Sequence, residues 1–98
     1  MKVHELKILP EYFDAVISGD KRFEFRKNDR DFHVFDILRL KEWDWDKYTG
    51  REIDVEVRFV LQQFPGMERG YCVMSIIPLT AERKGGDGDA DGATPLPG

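Results

Sequence analysis

The sequence has little of what several common function classes need. Its single cysteine, Cys72, cannot form an internal disulfide, and with only two histidines beside it a Cys/His zinc site lacks ligands. Cys72 stands in the apolar run Tyr71-Cys72-Val73-Met74, where a small buried side chain is expected rather than a reactive thiol. No stretch approaches the roughly 18 consecutive apolar residues of a membrane-crossing helix, and Met1 to Lys7 lacks the apolar segment of a signal peptide. A cytoplasmic protein without membrane attachment is therefore expected. Positive charge is not in excess either: the formal net charge is -4. That argues against a protein that coats nucleic acid through bulk charge, because phosphate binding is driven by Lys and Arg releasing counterions. No motif implies a metal or a cofactor, and none is expected.

What is present amounts to one domain. A chain of 98 residues has room for a single core. The hydrophobic fraction of 41% is slightly low, and the shortfall lies in the last sixteen residues. Residues 83–98 are rich in Gly, Asp and Pro and are expected to be a disordered tail behind a domain at 1–82. Within the tail, Asp87-x-Asp89-x-Asp91-Gly92 has the opening spacing of an EF-hand loop. Gly98 occupies the twelfth position, where that loop needs Glu, so calcium binding is not expected.

The first 82 residues read as strands with one clear helix. His4, Leu6 and Ile8 alternate with Glu5 and Lys7, which predicts a half-buried strand over Val3–Ile8. Pro10 at a first helical turn, acidic Glu11 and Asp14 near the N-terminus, and Gly19 as a stop predict a helix over Pro10–Ser18, with Phe13, Val16 and Ile17 facing inward. A second strand is expected over Lys21–Arg26, with Phe23 and Phe25 on one face and Arg22, Glu24 and Arg26 on the other. A turn at Asn28–Asp31 precedes a third strand at Asp36–Glu42, and the loop Trp43–Gly50 closes a hairpin. In the fourth strand Ile53, Val55, Val57, Phe59 and Leu61 are expected to point one way, and a fifth strand runs from Tyr71 to Ile77. The fold class is mainly β with one or two helices (α+β). A small barrel of about five to six strands, with the helix over one opening, buries one core and hides the edges; an open α+β sheet is the alternative.

Charge is distributed unevenly within this acidic chain. Residues 21–30 hold five basic side chains against Glu24 and Asp29, a local balance of +3. Lys21 supplies a mobile point charge and Arg26 a planar fork, a pair suited to a phosphate, a carboxylate or a base edge. Glu24 can hold both cations in place or accept a hydrogen bond from a base amino group. The bland alternative is a solvated ladder of charges on an outer face, worth about 0–1 kcal/mol per pair.

Gly19, Lys21, Glu24 and Arg26 reproduce the G-x-K-x-x-E-x-R signature of the ASCH domain, and the chain resembles that PUA-like β-barrel family over about residues 3 to 78. His4-Glu5-Leu6-Lys7-Ile8, Phe13, Arg26 to Phe32, and Tyr48-Thr49-Gly50-Arg51 are similar to an uncharacterised family of bacterial and phage proteins within that group. The chain departs from that family's pattern at Phe35, where Gly usually precedes the Asp that opens the third strand. The resemblance implies a cleft between helix and barrel that takes RNA or a nucleotide, lined by Lys21, Glu24 and Arg26. His4, on the neighbouring strand, is a further candidate against the alternative of a satisfied core histidine. Asn28 and Arg30 extend the site or simply form the turn. Trp43, Trp45 and Tyr48 offer flat faces for base stacking, although Asp44 and Asp46 between them favour loop packing.

Two other function classes stay open. Some ASCH-like proteins are amidohydrolases acting on an acetylated cytidine, with the signature Lys, a Thr where this chain has Glu24, and a later acid that would here be Glu68. A hydrolase acting on a modified nucleoside or RNA is thus the first alternative, though Glu24 cannot replace a hydroxyl nucleophile without a change of mechanism. A phage or bacterial accessory protein that binds another protein is the second. A monomer is the expected state.

Overall fold

In β1 (Val3–Ile8) the period-two alternation decides which side is buried: His4, Leu6 and Ile8 face the core, and the residues between them face solvent. The computed structural model describes residues 1–79, so the tail expected from residue 83 lies outside the described residues. Helix α1 (Pro10–Ser18) begins at an extended Leu9, with Pro10 where its missing amide costs nothing and Glu11 in the first turn. Phe13 and Val16 are buried and Ile17 packs against the core. At its end Gly19 takes φ 90°, a left-handed conformation that glycine adopts without a Cβ penalty. The Gly19 amide donates to Val16 O and the Lys21 amide to Ala15 O, which turns the chain sharply out of the helix.

The remaining strands are β2 (Phe23–Lys27), β3 (Ile37–Trp43), β4 (Tyr48–Gln62) and β5 (Tyr71–Pro78). They form one mixed sheet in the order β1-β3-β4-β5-β2. β1 runs parallel to β3, with Val3 opposite Ile37; the other pairs are antiparallel. The domain is thus mainly β, a five-stranded half-barrel with one helix. Leu6, Ile8, Leu38, Leu40, Val55, Val57, Met74 and Ile76 fill its concave side, and Phe13, Val16 and Phe32 cover them. Cys72 is fully buried among them, and burial pushes its thiol pKa up, as suits a packing residue. Among the described residues no helix is long and apolar enough to cross a membrane.

β1 and β2 end the sheet without pairing to each other. Side chains bridge the gap instead. Arg26 Nη2 donates to the carbonyl oxygen of Lys7 at 2.8 Å, and Arg30 Nη1 to that of Glu5 at 2.9 Å. Unpaired carbonyls on an edge strand are exposed acceptors, and these two guanidinium groups satisfy them from across the opening.

Two local features differ from the sequence-based expectation, and a third shows what the departure from the family's pattern at Phe35 entails. The hairpin loop shrinks to a tight turn, because Asp44 Oδ1 accepts the amides of Asp46 and Lys47, and Trp43 then pairs with Tyr48 inside the sheet. In β4 the register slips between Val57 and Phe59, leaving Arg58 as the extra residue of a β-bulge. After the bulge the alternation inverts: Phe59, expected inside, is 60% exposed, and Val60 packs against the core in its place. Finally, Phe35 adopts φ 78°, with its amide donating to Val57 O at 2.7 Å. This left-handed backbone is what a glycine at that turn would supply without strain.

Candidate functional site

Alternation in β2 also decides the fate of its charges. Because the strand's inner face carries Glu24, this carboxylate is only 2% exposed, while Phe23 and Phe25 on the opposite face are 48% and 52% exposed. The ladder is therefore not a solvated outer face. A buried carboxylate must be paired and hydrogen-bonded to stay charged. Glu24 is: Oε2 accepts from Lys21 Nζ at 2.5 Å and Oε1 from Arg26 Nε at 2.8 Å. Lys21 Nζ also donates to Phe23 O at 2.7 Å, and Arg26 Nη2 to Lys7 O.

Each cation keeps donor capacity. An ammonium has three N–H groups and Lys21 uses two of them on protein acceptors. Arg26 Nη1 has no protein partner among the described residues. Both side chains line an open cleft of about 470 Å³, walled on one side by Lys7, Ile8, Leu9 and Tyr12 and on the other by Phe23, Glu24 and Phe25. Its size falls within the range of small-ligand sites, roughly 300–1,000 Å³. Lys21 Nζ lies 4.8 Å from the Phe23 ring centroid and 6.0 Å from that of Tyr12. Cations and aromatic faces thus share one concavity.

The other sequence candidates lie elsewhere. His4 Nε2 sits 2.8 Å from Asp36 Oδ2, and its ring meets Phe32 edge-on at 4.8 Å. Asp36 also accepts the amides of Lys2 and His33. Burial raises the Asp36 carboxyl, but the His4 hydrogen bond and these two amides together outweigh it and hold the group below its ordinary value. His4 is thus a buried histidine with Nε2 bonded to Asp36, and it does not line the cleft. Asn28 spans a loop, donating to Gln62 Oε1 and accepting the Phe32 amide, and Arg30 binds Glu5 O. Neither lines the cleft, and nor does Glu68, whose carbonyl accepts the Tyr71 amide in the β4–β5 loop.

A third buried carboxylate beside Glu24 and Asp36 is Glu42, which the sequence reading does not single out. Arg51 binds both its oxygens at 2.9 Å and reaches Asp14 Oδ1 of α1, also at 2.9 Å, while lying 4.5 Å above the Phe13 ring. Arg51 is the main reason the Glu42 carboxyl is held below its ordinary value, and the Arg51 guanidinium is raised in turn. This network fastens the helix to the sheet. Tyr12, Phe23 and Phe25 were likewise missed as lining residues. The available signal was Glu24 itself, since a carboxylate flanked by two phenylalanines must be either solvated with the rings buried or the reverse.

The family model described as "Domain of unknown function (DUF3850)" matches residues 3–76. The chain belongs to the DUF3850 family. A relative from Escherichia phage P2, described as an "Uncharacterized 12.9 kDa protein in GpA 3'region", is 37% identical over 86 residues, covering 83% of this chain and 78% of that protein. Among solved structures, the "Crystal structure of hypothetical protein PH0355" is similar with a TM-score of 0.56 at 20% identity, covering 81% of this chain and all of that one. At that identity the likeness speaks for the fold alone. The DUF3850 match spans the whole of β1 to β3 and therefore includes every residue that lines the cleft.

Proposed function

We propose that the cleft binds RNA or a nucleotide, as a DUF3850 member of ASCH/PUA-like type. The observation that carries this reading is Glu24, buried to 2% exposure and spent on holding Lys21 and Arg26 side by side next to half-exposed aromatic rings. A carboxylate used in this way orients cations for an anionic partner at little entropic cost on binding. Phosphate suits the free N–H groups of Lys21 and Arg26, and a base suits the faces of Tyr12 and Phe23. Both Glu24 oxygens are already engaged, which favours recognition over acid–base catalysis.

The test is a titration of the 98-residue protein with mononucleotides and with fluorescent structured and single-stranded RNAs, repeated for Lys21→Gln and Tyr12→Ala. Both variants are expected to bind at least tenfold more weakly while keeping the parent's circular dichroism spectrum. Folded variants that bind as well as the parent, or a parent that binds none of the panel, would overturn the proposal.

A further inference from the structure

The convex side of the sheet carries an apolar surface outside the core. Register sets Phe59 of β4 opposite Ser75 of β5, and Ser75 opposite Phe23 of β2, so the two phenyl rings stand on one row of the outer face. The next row is Leu61, Val73 and Phe25. Tyr71 stacks on Phe25 with centroids 5.3 Å apart and planes 19° from parallel. Phe59 reaches this face only because the Arg58 bulge inverts the strand. Adjacent exposed apolar side chains of this kind mark a binding surface.

Two observations indicate what covers it. The first is continuity: Phe23 and Phe25 belong both to this face and to the cleft, which opens along the same strand. The second is charge. Lys21 lies against the Phe23 ring and Lys27 stands opposite Tyr71 in the ladder, whereas Arg58, next to Phe59 in sequence, is paired with Glu56 at 3.8 Å. Aromatic rings interleaved with cations form a stacking platform for a charged, flexible chain of bases.

We infer that single-stranded RNA held at the cleft continues over β2 onto this outer face, with successive bases on Phe25, Phe23 and Phe59. The inference rests on the reading of the cleft as an RNA or nucleotide site, and it extends the ligand from one nucleotide to a strand. Fluorescence anisotropy with a labelled single-stranded RNA octamer, beside calorimetry with a mononucleotide, tests it in the intact protein. Phe59→Ala is expected to weaken the octamer at least fivefold and to leave the mononucleotide unchanged, while Phe59→Trp, which keeps a stacking face, restores octamer binding. An octamer that depends on Lys21 but not on Phe59 overturns the strand path and leaves the cleft assignment standing. Absence of binding by either ligand overturns both. Light scattering that shows a dimer dissociated by Phe59→Ala assigns the face to a second copy of the chain and overturns the inference.

Discussion

Arg26 of β2 donates from Nη2 to the carbonyl oxygen of Lys7 in β1 at 2.8 Å, joining two edge strands that share no backbone hydrogen bond. The same guanidinium donates from Nε to buried Glu24, so one side chain both closes the half-barrel and orients the cleft. Stability and the proposed recognition are therefore coupled at this residue.

Arg26→Ala is expected to destabilise the fold by about 2–4 kcal/mol, because it removes one of two cations from a buried carboxylate and exposes an edge carbonyl. Glu24→Gln should also destabilise, since the amide oxygen accepts from only one of the two donors and its NH2 group faces the other. Urea unfolding monitored by circular dichroism measures both. Equal stability of Arg26→Ala and the parent would show that the bridge to Lys7 contributes nothing.

The acid limb of stability should depend on Asp36 and Glu42. Both folded-state pKa values lie below their ordinary values of 3.8 and 4.5. A group depressed in this way contributes stability that is fully present above its unfolded-state pKa and is lost as pH falls through the folded-state value. The urea midpoint is thus expected to fall steadily as pH drops below about 4.5. In an Asp36→Asn/Glu42→Gln double variant the midpoint should be lower at neutral pH and change less on acidification. A double variant with the parent's full pH dependence would place the acid-sensitive groups elsewhere.

Phe35→Gly is expected to stabilise the protein by about 1 kcal/mol, since it relieves a left-handed conformation that costs an L-residue roughly 1–2 kcal/mol. The half-exposed ring, with Arg58 above it at 5.7 Å, offsets part of that gain. Thermal unfolding reads the change, and a lower midpoint would mean that the Phe35–Arg58 contact outweighs the backbone strain.

The bulge in β4 makes opposite predictions for neighbouring residues. Val60→Ala should cost about 1–2 kcal/mol as a core truncation, whereas Phe59→Ala should stay within about 0.5 kcal/mol. Without the bulge the ranking would reverse, so chemical denaturation of the two variants tests the register directly.

Much of this architecture is legible residue by residue. The alternation of His4, Leu6 and Ile8 against Glu5 and Lys7 yields β1, and Pro10 and Gly19 bracket the helix to its last residue. Hydrophobic period and capping chemistry are local properties, carried by side chains within a turn or two of each other. The candidate cations Lys21 and Arg26 were equally visible, because a lysine and an arginine near one glutamate on a short strand are close whatever the tertiary fold.

What the chain alone left open were choices between two faces or two partners. Whether Glu24 or its flanking phenylalanines turned inward depended on β5 and β1 lying around β2, since burial of a carboxylate is tolerable only where Lys21 and Arg26 can follow it. His4 became a core residue because Asp36, distant in sequence, came to its side with two backbone amides. The bulge at Arg58 arose from the pairing of β4 with β5, and no period within β4 announces it. The sequence by itself determined the elements and the residues of the basic strand after Gly19. Only the tertiary structure decided which of them are buried, which bridge β1 to β2 and which face the cleft, because those outcomes are set by long-range pairing and the energy of burying charge.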